Sequence, residues 1–466
     1  MIPLDGQPIL TAGEMRAAEE ATMVAGTSVD TLMERAGEGV AVAVHRLAAG
    51  ADIVILCGPG NNGGDGYVAA AALHRMGAAV RVAASGAPAS PAAVRAAARW
   101  HGPVEALAQA EPATILVDAL FGTGLSRPLA DEVAAPLHRL ARAARLRIAV
   151  DVPSGVGSDD GAVLGAATCD ITLALEAAKP AHLLQPAAQA CGTVRLIPIG
   201  VPVVSHTHVL SSPLPEGERD MACVAPSITL PTPGPNSHKY TRGMVAIVAG
   251  GMAGASELAS IAAMRAGAGY VLHLGEGQGP PHALVRKIFS ADALQDARIG
   301  AIVVGPGLGR DDATRRMLDA SLAAHRPLVI DGDALRLIDP TTIPAGSILT
   351  PHGGEFSHLF GQEGDKITRT RRAAAQTGAV IVHKGPDTVI AAPDGRVTVA
   401  GEGSPWLSTA GTGDVLAGAI GAMRAAGLDP FAAAGAGVWL HGAAARRLGP
   451  AFIADDLADA LSAVRG

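Results

Sequence analysis

Short apolar runs recur along the chain, and each one closes on a polar or glycine-rich loop. Between them the apolar positions fall three and four apart, so strands and helices alternate. Residues 11–46, through EMRAAEEATMVAG and VDTLMERAGEGVAVAVHRL, predict two helices, the second capped by Ser28 or Asp30. The all-apolar run at 53–57 predicts a buried strand, followed by the loop GPGNNGGDG and a helix over 67–76. Further strands are predicted near 80–83, at 114–118, 147–151 and 194–197. Beyond them the chain loses helical period and gains Pro, Ser and His, which marks a boundary near 205–235. A second series then begins, with strands at 244–249, 270–274, 301–304, 328–330, 348–349 and 380–382 and a helix over 255–266. The pattern is that of an α/β protein of two domains, residues 1–205 and 236–466, joined by a linker over 206–235.

Length and composition agree with two cores. A chain of 466 residues exceeds what one core organises, and with 49% hydrophobic residues but few aromatics those cores are built from Ala, Val, Leu and Ile. The net charge of -7 comes without acidic or basic blocks, which argues against nucleic acid or an anionic membrane as partner. Cys57, Cys169, Cys191 and Cys223 stand far apart, so neither a zinc site nor a disulfide framework is indicated. They read as buried thiols in a reducing compartment. No apolar run is long enough to span a membrane and the start lacks signal-peptide features, so a cytoplasmic protein is expected. His206 and His208 have no further ligand candidates near them and read as a chance pair in the linker.

Candidate chemistry collects at the carboxyl ends of the strands, where an open parallel sheet binds ligands. Gly58, Gly60 and Gly63 satisfy the dinucleotide fingerprint. The next strand does not end in Asp or Glu, however, which speaks against a nicotinamide oxidoreductase, and no Gly-Lys-Ser/Thr makes a phosphate loop of the Walker type. What remains is an oxygen-rich crevice in which Asn62, Asp118, Asp151 and Ser154 can converge on a polar ligand or a hard cation. In the second half the turn from Ser408 to Gly418 is central. Free amides of Gly411, Thr412 and Gly413 at a helix start form an anion cradle. Asp414 is then either an N-cap or a base for a hydroxyl that attacks a phosphoryl group. Lys384 offers a point charge to phosphate, and Gly309 allows close backbone approach. Asp331, Asp333 and Glu355 either organise Mg²⁺ through water or form ion pairs, and His352 is a ligand contact or a core histidine.

Through EMRAAEE, LMERAG, CGPGNNGGDGYVAA, VDALFGTGLSRP and DVPSG, residues 11–200 resemble the YjeF N-terminal domain family, the NAD(P)H-hydrate epimerases. The resemblance implies a Rossmann-like doubly wound domain. It implies that Asn61, Asn62, Gly63, Gly64 and Asp65 contact a hydrated nicotinamide dinucleotide, as do Gly122, Thr123, Gly124, Leu125, Ser126, Arg127 and Pro128. It further implies potassium at Asn62, Asp118 and Ser154, with Asp151 at the reacting ring. Residues 238–450, through HKYTRGMVAIVAGG, RAGAGYV, VVGPGLG, LTPHGGEF, VHKGPDTVIA and STAGTGDVLAGAIGAM, are similar to the ribokinase-like superfamily and more closely to its NAD(P)H-hydrate dehydratases. Here the likeness implies substrate contacts at Ala255, Gly307, Gly309, His352 and Asp414. It places ADP with Mg²⁺ at Lys384, Gly385, Pro386, Asp387, Thr388, Gly411, Thr412 and Gly413. Together the halves imply repair of NADHX and NADPHX by Asp151 and Asp414 in a homo-oligomer. A vitamin-alcohol kinase joined to a non-catalytic binding module is the alternative. Two departures from the family stand out: the loop 250–255 is shorter and lacks a serine, and Trp406, in SPWL before the Asp414 turn, reads as a packing residue.

Overall fold

Seven parallel strands form the sheet of the first unit, and inner ones at Ile53–Cys57, Ile115–Ala119, Leu146–Val150 and Ile171–Leu175 have buried apolar centres. After a two-residue strand β1 (Pro8–Ile9) they are β2 (Ile53–Cys57), β3 (Val80–Ala84), β4 (Val104–Ala106), β5 (Ile115–Ala119), β6 (Leu146–Val150), β7 (Ile171–Leu175) and β8 (Thr193–Ile197). Their order is β4-β3-β2-β5-β6-β7-β8, so the chain reverses direction across the sheet between β2 and β5. Such a switch point opens a crevice at the strand ends. Helices Val29–Ala48 and Asn61–Arg75 seal one face through Val40, Val44, Tyr67 and Leu73. Ser28, not Asp30, caps the first of these by accepting from Thr31 N at 3.1 Å, while Asp30 pairs with Arg95.

The computed structural model describes residues 1–203, 222–226, 228–277, 279–401 and 403–465. Two compact units divide at Thr207 and His208. His206, His208 and residues 206–221 of the expected linker lie outside the described residues. Within the remainder of that stretch Ala222–Val224 is a strand, β9, that joins the second sheet.

The second unit adds β10 (Met244–Val248), β11 (Tyr270–Leu274), β12 (Val285–Lys287), β13 (Ile299–Val304), β14 (Leu328–Ile330), β15 (Ile348–Leu349), β16 (Val380–His383), β17 (Thr388–Ala391) and β18 (Val397–Ala400). Its strands run β9-β18-β17-β16-β15-β14-β13-β10-β11-β12, parallel except for antiparallel β16-β17-β18. The helices Ala253–Arg265 and Thr412–Ala425 pack so closely that a Cβ on Gly418 would lie 2.1 Å from Ala259 O. At the amino end of the second helix, a Cβ on Gly413 would lie 3.4 Å from Lys384 Nζ and 3.8 Å from Asp331 Oδ2, on the residues that follow β16 and β14. Among the described residues no helix is long and apolar enough to cross a membrane.

Candidate active sites

In the first unit the glycines draw two strand ends together. A Cβ on Gly58 would meet Leu120 O at 1.7 Å, and one on Gly63 would meet Gly58 O at 1.8 Å. The glycines therefore do not prolong a loop to Tyr67, as the sequence suggested. The helix starts at Asn61, because only glycine permits this approach to the turn after β5. Asn61 accepts from Ser90 Oγ at 2.6 Å, and Gly64 and Asp65 are buried in the first helical turns. Gly122 lies against the Asn62 side chain, and the turn continues through Thr123, Gly124, Leu125, Ser126, Arg127 and Pro128, the last three of which are exposed.

Asp118 is 1% exposed at the end of β5. Its Oδ1 accepts from Ser154 Oγ at 2.6 Å and its Oδ2 from Ser154 N at 2.8 Å. Burial raises its carboxyl above the usual range, and among the described residues no cation pairs with it. Nearby, Asn62 Nδ2 is buried without a partner. A carboxylate, a hydroxyl and an amide of adjustable orientation are hard oxygen donors, and a bound monovalent cation would offset the Asp118 charge. These residues fit potassium.

Asp151 follows β6 with a left-handed φ of 66°, a strained setting for an aspartate. Its Oδ1 accepts from Lys179 Nζ at 2.5 Å and from Leu175 N at 3.2 Å. His182 Nδ1 accepts from Lys179 N at 3.0 Å, so Nε2 donates to Asp151 O at 2.8 Å. Burial, then the Lys179 charge, lowers the His182 pKa to about 4, which keeps the ring neutral. Burial and the Asp151 charge also raise the carboxyls of Asp65 and Glu19. Lys179, His182 and Glu19 were not singled out from sequence. The one signal was a lysine and a histidine, three residues apart, within the largely apolar stretch 177–184.

In the second unit Asp414 is not an N-cap. Gly411 holds that position with φ 88°, and no side chain caps the helix, so the Asp414 carboxylate remains available one turn in. Burial first, then repulsion by Asp331, raises its pKa to about 7. Lys384 Nζ, which lies on the Gly413 side of the cradle, donates to Asp331 Oδ1 at 2.6 Å. Gly385, Pro386, Asp387 and Thr388 continue the loop. Thr388 Oγ1 donates to Gly385 O, and Asp387 pairs with Lys366 at 2.5 Å.

Gly307 and Gly309 have left-handed φ, and a Cβ on Gly307 would touch Ala255 at 2.9 Å, which places these substrate candidates together. The short loop before Ala255 packs its Gly250 on Leu308 O and becomes helical at Ala253. His352 is not a core histidine: its Nδ1 caps Gly354 N and Glu355 N, and its ring is exposed. Glu355 accepts from His352 N, Asp333 takes Gly309 N and Arg310, and Asp331 takes Lys384 and Thr350. These three carboxylates are therefore ion-pair and cap acceptors and do not fit a preformed magnesium site. Trp406 is 49% exposed, against the packing role read from sequence.

Two α/β units, one with a buried acid cluster after its strands and one with helix-start amides beside a carboxyl raised to about 7, define a two-domain α/β protein with a candidate site in each unit. The family model for the YjeF-related protein N-terminus matches residues 29–181, and that for NAD(P)H-hydrate dehydratase matches residues 245–464. The bifunctional NAD(P)H-hydrate repair enzyme of Salinibacter ruber is 34% identical over 98% of this chain and 96% of its own. That of Mycobacterium tuberculosis is 34% identical over 90% and 89%. An ADP/ATP-dependent NAD(P)H-hydrate dehydratase from Bacillus subtilis, co-crystallised with ATP and Mg²⁺, aligns over 51% of this chain and 93% of its own at 32% identity and a TM-score of 0.46. The chain belongs to the bifunctional NAD(P)H-hydrate repair enzymes, an epimerase domain followed by a dehydratase domain.

Proposed function

We propose that the first unit interconverts the R and S hydrates of NADH and NADPH, and that the second dehydrates the S form with ADP, releasing AMP and phosphate. The observation that carries the second step is Asp414, which makes no cap bond and sits beside the Gly411, Thr412 and Gly413 amides with its pKa pushed up to about 7. There the C6 hydroxyl gives its proton to Asp414, and the oxygen attacks the terminal phosphorus of ADP. The bond to the AMP oxygen breaks, and the amides hold the charge in transfer. Phosphate then leaves C6 with the C–O electron pair, a proton leaves C5, and the ring double bond returns. Mg²⁺, brought in with the nucleotide, would supply positive charge to its phosphates.

In the first unit Asp151 accepts the C6 hydroxyl proton as the C6–N1 bond opens. The bond electrons pass to N1, which is conjugated with the carboxamide, and C6 becomes an aldehyde. Closure on the other face reverses each transfer and gives the second epimer. Asn62, Asp118 and Ser154 would hold potassium, which supplies positive charge beside the Asp118 carboxylate. Four free, buried cysteines support a reducing, cytoplasmic setting.

The test is a mixed-epimer NADH hydrate supplied with ADP, Mg²⁺ and K⁺, with reduced-nicotinamide absorbance followed to its endpoint. Recovery of both epimers faster than spontaneous interconversion is expected. Recovery that stops at the S share leaves the first unit a binding module, and a stable phosphorylated product makes the second a kinase.

A further inference from the structure

We propose that Lys179 is a positioning residue of the epimerase site, fixing Asp151 so that one carboxylate oxygen is held by the protein and the other faces the substrate. The inference rests on the epimerase reading above and adds to it a residue on a different segment of the chain. Lys179 is 1% exposed, yet among the described residues its ammonium has two acceptors, Asp151 Oδ1 at 2.5 Å and Leu175 O at 2.8 Å. A buried lysine of this kind is a poor stabiliser compared with an apolar side chain, so its place calls for another reason.

The geometry supplies one. Oδ1 also accepts from Leu175 N at 3.2 Å, whereas Oδ2 has no hydrogen bond among the described residues. The backbone beneath it is pinned as well: Asp151 N donates to Leu173 O at 2.9 Å and His182 Nε2 holds Asp151 O at 2.8 Å. Strained φ, pinned peptide and clamped Oδ1 together leave Oδ2 as the only free valence of the group. The charged and titratable groups that act on this carboxylate and its neighbours are Lys179, His182, Glu19, Asp65 and Arg16. With His182 neutral and the Asp65 and Glu19 carboxyls raised, Lys179 is the buried cation of the cluster, and among the described residues the carboxyl it pairs with directly is that of Asp151. It thereby selects which of three carboxyls accepts the substrate proton.

The experiment follows conversion of R to S hydrate by the full chain without ADP, so that the dehydratase is silent. Lys179→Met is expected to lower kcat about 100-fold with KM within twofold. The acid limb of its pH profile should move up by about one unit or more. Lys179→Ala should behave alike and regain rate with added ethylammonium. Rates within threefold of wild type and an unmoved limb overturn the inference, and so does a loss confined to KM. Wild type failing to interconvert epimers overturns the epimerase reading and this one with it. Should neither variant fold, the ¹⁵N signal of the sheltered Lys179 ammonium in the wild-type chain decides. It should shift when hydrate is added, and indifference to hydrate overturns the proposal.

Discussion

Replacing Asp414 with Asn separates stability from catalysis in the second unit. The carboxyl, ordinarily near 3.8, is raised to about 7 by burial and by Asp331, a shift of about three units or ~4 kcal/mol at 1.36 kcal/mol per unit. Asp414 is only partly buried, so solvent screening brings the usable figure to ~2 kcal/mol. The folded protein keeps this proton to higher pH than the unfolded chain. Stability therefore falls as pH rises from about 4 to about 7 and is level above that. Asp414→Asn lacks this loss. At pH 8 it should melt ~4–8 °C above wild type, and at pH 4 the two should nearly coincide. Dehydration should fall at least ~100-fold in the same variant. In wild type the dehydratase kcat/KM should rise with pH to a half-maximum near 7. Calorimetry at the two pH values and an initial-rate profile check both. A melting difference independent of pH, or a half-maximum below about 5.5, would refute the account of Asp414 as a desolvated base.

Gly63→Ala puts a methyl 1.8 Å from Gly58 O, with backbone on both sides, so the first unit should lose about 3 kcal/mol and its epimerase activity while ADP-dependent dehydration of the S form persists. Chemical denaturation and separate assays of the two reactions check this. Asp118→Asn removes the one carboxylate of the proposed potassium site, so epimerisation should lose its dependence on K⁺; rates titrated with K⁺ against Na⁺ decide.

The sequence made the sheet centres legible and their rims obscure. Runs at 270–274, 328–330 and 348–349 coincide with β11, β14 and β15, because strands buried on both faces are largely apolar, with His273 the one polar residue among these three. The three-residue strands β4, β9 and β12 lie at or near the rims and are too short to carry a period. The hairpin β17–β18 went unseen because its strands follow directly on the polar loop 384–388 and the turn 393–395. The helix over Asn61–Arg75 was placed too late because glycine opposes helix, and its close contact with Gly58 exists only in three dimensions. Among site residues, those at strand ends were legible from position alone. Lys179 and His182 were not, since their role comes from reaching Asp151 across 28 and 31 residues. Likewise the engagement of Asp331, Asp333 and Glu355 by Lys384, Gly309 and His352 is invisible to spacing, so the sequence left a cation site and ion pairs as equal alternatives.

The two sites then differ less in their residue types than in how they assign a lysine. Both place a carboxylate beside a glycine-bearing turn with a lysine in reach, Asp151 directly after β6 and Asp414 in the first turn of the helix Thr412–Ala425. In the first unit that lysine sits directly on Asp151 Oδ1, within hydrogen-bond distance. In the second, Lys384 is committed to Asp331, and Asp414 feels the Asp331 charge more strongly than the lysine's. Opening a hemiaminal ring needs one carboxylate held still through opening and closure, and a direct ion pair does that. Phosphoryl transfer needs a base that takes up a proton near neutrality and a cation that can turn to the phosphate, which a lysine held by a second carboxylate provides. Exchanging the arrangement, by Asp331→Asn, should free Lys384 for Asp414 and lower the half-maximum of the dehydratase pH profile. An unchanged profile would show that burial alone sets the Asp414 proton.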